Sequence, residues 1–423
     1  MKIQKVKGTK DILPEEVNTF LRAEEVLRET MTRYGYKEIR TPLFEQTELF
    51  VKGTGETTDI VNKEMYSFTD KGGRNLSLRP EGTPSIVRAY LENNLQKKKL
   101  FQKFFYYGRM YRQESPQSGR FREFRQFGIE AIGSSSPQID AETILLGLET
   151  LKGIGLETLD LQLNSVGCDK CRQPYRTALK TFIEPKLNEL CDDCKRRFEE
   201  NILRILDCKK ESCKSALRNC PTPLQYLCEE CDTHFSTVQN LLKNTQVEFT
   251  VNPYLVRGLD YYTKTVYEYI SPILGAQDAV GGGGRYDTMV ELFGGPSIPA
   301  IGFACGMERA LLAVQKQDRK GTLETKLDCY IATTDRGTDE KGFFLITDLR
   351  NRGLYCEKDF LSRSLKAQMK EANKLGAEFV IILGQEELER NEVILRRMSD
   401  STQKSIPFSV EKIIKEIEDL KIP

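Results

Sequence analysis

The 423-residue chain has no tryptophan and one histidine, His234. This scarcity excludes a histidine-rich metal centre and most catalysis by a histidine general base. His234 itself is expected to be an ordinary surface side chain. No hydrophobic run is long enough to span a bilayer. The opening MKIQKVKGTKDILP carries charges but no apolar stretch of signal-peptide length, so the chain is read as cytosolic. An excess of one charge is missing too: Lys plus Arg is 63 and Asp plus Glu is 62. Attraction to a polyanion must therefore come from local basic surfaces and not from net charge. With 39% hydrophobic residues, a chain of this length is expected to form two or three domains.

Cysteine, by contrast, is plentiful: twelve residues, nine of them between Cys168 and Cys231. In a cytosolic chain these thiols are expected to be reduced. They fall as Cys168-x-x-Cys171, Cys191-x-x-Cys194, Cys208-x4-Cys213 and Cys228-x-x-Cys231, with Cys220 left over. Those eight residues can supply two four-thiolate zinc sites. Structural zinc is the favoured reading, with metal-free thiols and redox chemistry as the alternatives. Its purpose would be mechanical, because a small lobe gains from metal the stability that its core cannot supply. Chelation is then expected to loosen the lobe.

Apolar positions from Val17 to Tyr34 approximate a helical stripe that starts near Pro14 and stops at Gly35. The runs KFFYYGRMYRQE and FREFRQFGIEAIG, joined by the turn-prone SPQSGR, predict a large antiparallel hairpin. A helix over 138–152 and a strand LDLQLNSV precede the cysteine-rich segment, and strand-like sequence resumes at VEFTVNPYLV and YLVRGLDYYTKTVYEY. The segment thus reads as an insertion between two strands of one antiparallel sheet. Beyond a polar linker, KQDRKGTLETK, strands alternate with helices as in a small α/β domain.

Period 2 along the hairpin places Arg112 with Met110 and Glu114, and Gln126 with Phe124 and Glu130. Suitably paired, the strands would offer a guanidinium, an amide and a carboxylate to one pocket, and the planar fork of arginine suits phosphate. Arg120 and Arg122 add positive charge at the turn. The four glycines of AVGGGGRYD allow close backbone approach. In IGFACGMERALL a strand runs through Gly306 into a helix whose first turn holds Arg309, against the helix dipole. A bound anion would relieve that conflict and make three arginine sites with Arg112 and Arg257.

In this order, the motifs resemble those of class II aminoacyl-tRNA synthetases, specifically the histidyl-tRNA synthetase family. The helix and strand ending at Pro42, the stretch MYRQESPQSGRFREFRQFGIE and IGFACGMERALL are similar to its three class motifs. RGLDYYTKTVYE and GGGGRYD are similar to its two histidine motifs. The resemblance spans essentially the whole chain, including LRPEGTPS. It implies an α+β fold: an antiparallel-sheet catalytic core over 1–167 and 247–322, a helical cysteine-rich insertion over 168–246, and an α/β anticodon-binding domain over 327–423. It also implies a homodimer, and ATP with Mg2+ for converting histidine to histidyl-adenylate before transfer to histidine tRNA; chelation of the cysteine-rich lobe would then weaken tRNA charging more than adenylate formation.

By resemblance, Arg112 grips the α-phosphate, Arg309 holds the γ-phosphate, and Arg257 sits opposite Arg112 on the reacting phosphate. Arg120 and Arg122 join the ATP set. Glu81 and Thr83 hold the amino group of histidine, Gln126 its carboxylate end, and Glu130, Tyr262 and Tyr286 its imidazole. Arg257 and Tyr262 are five residues apart, so a regular strand would point them to opposite faces; a bulge or break is expected at Gly258. In the last domain Arg363, Lys366, Lys370 and Lys374 recur near helical spacing and are candidates for phosphate contact, with a solvated face the alternative.

Ser115 stands where many relatives carry arginine, and Arg125 where histidine or another aromatic is common; both bear on recognition of the extra 5′ guanosine of histidine tRNA. Two other readings compete: a catalytically inactive, synthetase-like histidine sensor, and an RNA-binding protein on the same scaffold. The chain keeps the C-terminal domain and the charged residues of the histidine motifs, which such a sensor typically lacks; intact Arg112, Arg257 and Arg309 argue against the RNA-binding reading, since buried arginines without a phosphate would be destabilising.

Overall fold

The computed structural model describes residues 3–114, 119–275, 278–317 and 327–421. Ser115 and most of the polar linker lie outside the described residues. The chain divides into two compact units, Met1–Gly321 and Thr322–Pro423.

The first unit is built on an eight-stranded sheet. Its strands run in the order Lys37–Glu38, Gln102–Tyr111, Glu123–Ile132, Ala300–Gly306, Ala279–Arg285, Thr263–Ile270, Asp160–Ser165 and Thr250–Val251. The six inner strands are antiparallel, as expected, while the two short outer strands pair parallel to their neighbours. A parallel neighbour requires a long crossover. At one edge that crossover is the cysteine-rich segment itself, which leaves after Ser165 and returns at Thr250.

One face of the sheet is covered by helices Pro14–Arg33 and Pro137–Ile154, whose Leu27, Met31, Ile144 and Leu151 join a core with Phe127, Ile129 and Ile301 of the strands. Helix Glu229–Asn244 adds Phe235, Val238 and Leu242 to the same core. The last helix of the cysteine-rich segment therefore packs with the sheet. The rest of that segment surrounds its own small core, which includes Tyr175, Leu179, Phe198 and Ile205. On the opposite face of the sheet a second cluster gathers Tyr106, Tyr261, Tyr262, Val266 and Tyr286, and this face carries the cavity.

Two expectations need correction. The run from Tyr254 is not strand until Thr263; Arg257 and Gly258 lie in an irregular segment, and Asp260 donates its amide to Thr54 O at 3.2 Å. The break expected at Gly258 is present, and it extends to a whole loop because Gly258 and Asp260 outweigh the β preference of the tyrosines. His234 is not a surface side chain. It is 7% exposed, with Nε2 2.8 Å from Asp140 Oδ2. Asp140 is fully buried and also pairs with buried Arg285 at 2.7 Å, so the histidine completes a polar cluster that the core would otherwise leave short of a partner.

The second unit holds a five-stranded sheet in the order Cys356–Lys358, Cys329–Thr333, Phe379–Leu383, Glu392–Arg397 and Gln403–Pro407. Helices Arg336–Asn351, Leu365–Lys374 and Val410–Lys421 accompany it, as the α/β reading anticipates.

Candidate active site

A cavity of about 500 Å³ opens on the tyrosine-rich face of the large sheet. Its lining includes Glu81, Thr83, Arg112, Arg120, Gln126, Arg257, Tyr262, Tyr286 and Arg309. One strand, Glu123–Ile132, supplies Gln126 and Glu130 four residues apart on one face, and the paired strand Ala300–Gly306 places Gly306 and Gly302 beside them. Gly302 is required there: a Cβ at this position would lie 2.0 Å from Glu130 Oε2. The glycine run has the same use. A Cβ on Gly282 would meet Arg257 Nη1 at 2.8 Å, so the bare backbone is the surface on which this guanidinium rests.

Glu130 is fully buried. Thr83 Oγ1 donates to it at 2.7 Å and Tyr286 donates to its other oxygen. Burial pushes its pKa up to about 8, against the pull of those two hydrogen bonds, and the nearby charge of Glu81 pushes the same way. Glu81 is raised by burial too, although Thr54 Oγ1 donates to it at 2.8 Å and Tyr261 Oη at 3.0 Å. Tyr261 and Thr54 were not singled out from sequence. Tyr261 stands next to Tyr262 in a motif already noted, whereas nothing local marks Thr54. Gln126 accepts from Tyr106 Oη at 3.2 Å.

The arginines are held individually. Arg257 forms an ion pair with Glu268; burial lowers its pKa, and the adjacent carboxylate more than reverses this. Arg112 donates Nε to Pro80 O at 3.0 Å and stacks 5.3 Å from the Phe124 ring centroid. Arg309 donates Nε to Ala279 O at 2.5 Å, and its pKa is lowered by burial and by Arg120. A cation made less stable by burial and a like charge is well placed to receive an anion. Arg120 pairs with Glu114 at 3.1 Å at the rim. Arg122 is not among the lining residues; its guanidinium donates to Lys7 O and Glu114 O, each at 3.3 Å. Arg125 is likewise turned aside, paired with Glu308 at 3.2 Å.

The eight paired cysteines converge in two groups of four: Cys168, Cys171, Cys228 and Cys231 in one, Cys191, Cys194, Cys208 and Cys213 in the other. Either group can hold a metal ion. In the second unit Arg363, which precedes helix Leu365–Lys374, is bound to Asp359 at 2.5 Å and Glu371 at 3.2 Å, which leaves Lys366, Lys370 and Lys374 as the exposed basic row on that helix.

An antiparallel sheet that carries arginines from successive motifs beside buried carboxylates defines a class II aminoacyl-tRNA synthetase core. Residues 8–310 match the family described as Histidyl-tRNA synthetase, and residues 328–420 match the Anticodon binding domain. The chain belongs to the histidyl-tRNA synthetase family. It is 48% identical to a histidine-tRNA ligase of Moorella thermoacetica over 403 residues, 95% of each chain. With a histidine-tRNA ligase of Desulforudis audaxviator it shares 50% identity over 95% of this chain and 96% of the relative. The solved apo histidyl-tRNA synthetase of S. aureus superposes with a TM-score of 0.82 at 37% identity, covering 99% of both chains.

Proposed function

We propose that the chain activates histidine with ATP and transfers it to the 3′ end of histidine tRNA. The observation that carries this reading is one cavity in which Arg112, Arg257 and Arg309 line the walls together with buried Glu81. In the first step a carboxylate oxygen of histidine bonds to the α-phosphorus and the bond to the β-phosphate oxygen breaks, releasing pyrophosphate. Charge accumulates on the phosphoryl oxygens as this happens, and fixed cations stabilise it. Arg112 and Arg257 take the α-phosphate, and Arg309 the γ-phosphate, with Arg120 assisting at the rim. The nucleophile is already ionised, so the site positions and needs no base.

Glu81 and Thr83 receive the amino group of histidine and Gln126 its carboxylate end. Glu130, Tyr262 and Tyr286 receive the imidazole, which both donates and accepts. Magnesium would come with the triphosphate, and the carboxylates that line the cavity, Glu114, Glu268, Asp278 and Glu308, would be its oxygen donors from the protein once the arginines that pair with three of them release them. When bound it neutralises triphosphate charge. We assign zinc to the cysteine groups, and the domain limits 1–167 with 247–322, 168–246 and 327–423 to core, insertion and anticodon-binding domain. A homodimer is supported by exposed Leu43, Phe44 and Phe68 around the first class motif. We place the chain in the cytoplasm with the translation machinery. Among the described residues no helix is long and apolar enough to cross a membrane.

Histidine-dependent exchange of labelled pyrophosphate into ATP tests the reading. Wild type is expected to exchange, and Arg257→Ala to lose about 10²–10³-fold, the scale of one lost transition-state donor. A folded wild type without exchange would refute it.

A further inference from the structure

In both cysteine groups all four sulfurs lie within 4.8 Å of one another. Sγ of Cys168 is 3.6 Å from that of Cys171 and 3.9 Å from that of Cys228, and Sγ of Cys191 is 3.9 Å from that of Cys208. A tetrahedral ion with zinc–sulfur bonds of about 2.3 Å spaces its ligands about 3.8 Å apart. Backbone amides support the sulfurs: Cys228 N donates to Cys171 Sγ at 3.1 Å, and Cys191 N to Cys213 Sγ at 3.3 Å. Such bonds stabilise thiolates, the form in which cysteine binds metal. Cys191 and Cys228 also cap the helices that carry Cys194 and Cys231 in their first turns, where the dipole favours negative charge.

The two groups are nested. The outer one joins the first helix of the segment, Asp169–Ile183, to the start of helix Glu229–Asn244 on the main core. The inner one closes the loop from Cys191 to Cys213, which contains helix Asp192–Glu200 and the turn Ile202–Asp207. Between its cysteines this loop reaches the active cavity. Asn201 Nδ2 donates to Asp260 Oδ1 at 2.7 Å, and Arg197 and Arg204 pair with Asp59 at 3.3 and 3.1 Å. Arg204 also lies against the backbone beside Arg257, since a Cβ on Gly258 would be 3.2 Å from its Nη1.

The contact leads to the histidine side of the cavity. Asp260 donates its amide to Thr54 O, Thr54 Oγ1 donates to Glu81, and Tyr261, next in the chain, donates to the same carboxylate.

We propose that each group of four cysteines binds one zinc ion, and that the inner ion clamps the 191–213 loop onto the segment that positions Glu81 for histidine. The clamp, unlike the metal sites, rests on the synthetase reading. Binding is redox-neutral: four thiols release their protons to solvent and four zinc–sulfur bonds form. The lobe's core is small beside that of the main sheet, and the four sulfurs sit at the ends of the loop, so the ion is the link that ties those ends together. Asn201 and Arg204 are positioning residues. Loss of the inner ion then weakens histidine activation itself, beyond the effect on tRNA charging expected from sequence.

The test uses the full-length protein expressed in zinc-supplemented medium, with zinc counted by elemental mass spectrometry. Two ions per chain are expected in wild type and one each in Cys208→Ser and Cys228→Ser. In pyrophosphate exchange, Cys208→Ser should raise KM for histidine about tenfold, the scale of one lost buried hydrogen bond, with KM for ATP unchanged. Asn201→Ala should reproduce that rise with both ions retained, which keeps the test valid if Cys208→Ser does not fold. Cys208→His, which still offers a zinc ligand, should restore both the ion and the KM. A wild-type chain with fewer than two zinc ions overturns the sites. An unchanged histidine KM in Asn201→Ala, or equal rises for histidine and ATP, overturns the clamp. Two ions without any exchange would overturn the clamp together with the synthetase reading, while the metal sites stand on the zinc count.

Discussion

Tyr286 donates its hydroxyl to Glu130, a carboxyl that is fully buried and raised to about 8. At neutral pH the free site therefore holds mostly the protonated acid. Glu130 lies behind the lining residues Thr83 and Tyr286; on the proposed assignment an imidazole N–H would reach it and favour the carboxylate, and histidine binding is then expected to release a proton.

The expected pH dependence follows in sign. Histidine affinity should rise as pH increases from 7 and level off above 8, where Glu130 is already ionised. Glu130→Gln should abolish the slope and cost about 10–100-fold in affinity, equivalent to about 1–3 kcal/mol for an unsatisfied buried partner. Calorimetric titration in buffers of differing ionisation enthalpy measures both affinity and the released proton. For the unliganded protein the same shift has a stability consequence. A carboxyl whose folded pKa exceeds its unfolded value loses stability as pH rises from the ordinary glutamate range towards 8, and Glu130→Gln should flatten that fall in thermal melts.

Gly302→Ala should disable the site without removing any charged group. The new methyl would sit 2.0 Å from Glu130 Oε2 and 2.3 Å from Ile129 O, in the middle of the sheet. Overpacking of this kind costs about 1–3 kcal/mol. A lowered melting temperature with a raised histidine KM is expected; a normal KM would show that Glu130 does not contact the substrate.

Asp140 joins helix Pro137–Ile154 to both Arg285 and His234. Asp140→Asn leaves the fully buried Arg285 without its closest carboxylate, and is expected to cost about 3–5 kcal/mol in urea unfolding. His234→Asn should cost less, because Asp140 keeps the arginine.

Replacing the exposed lysines of one helix tests the second unit. Lys366→Glu, Lys370→Glu and Lys374→Glu combined should lower tRNA charging and its salt dependence, with pyrophosphate exchange unchanged. Equal loss of both activities would point to misfolding rather than lost phosphate contacts.

The hairpin, the helix over 138–152 and the helix that starts at Pro14 could be read from the sequence because their signals are local: alternation along the strands and, for the first helix, an apolar stripe between Pro14 and Gly35. Arg112, Arg257 and Arg309 were recognised by motif order, and the structure brings them to one cavity. What sequence did not reveal is long-range. Thr54 meets Glu81 across 27 residues, Asn201 meets Asp260 across 59, and His234 meets Asp140 across 94. Arg122 shows the converse: its residue type fits the ATP set, but its place in the turn directs its guanidinium to the carbonyls of Lys7 and Glu114. The grouping of cysteines was also beyond spacing alone, because the first and last pairs become neighbours only when the lobe folds back on itself.

The burial of His234 has one more consequence. It is the only imidazole in the sequence, and it belongs to the helix that closes the cysteine-rich segment onto the core. Protein labelled only at histidine will thus show a single ring in a magnetic resonance spectrum, free of overlap from its own kind. That ring is a built-in reporter: movement of the lobe against the core, whether on loading metal, adenylate or tRNA, will be legible as the shift of one line.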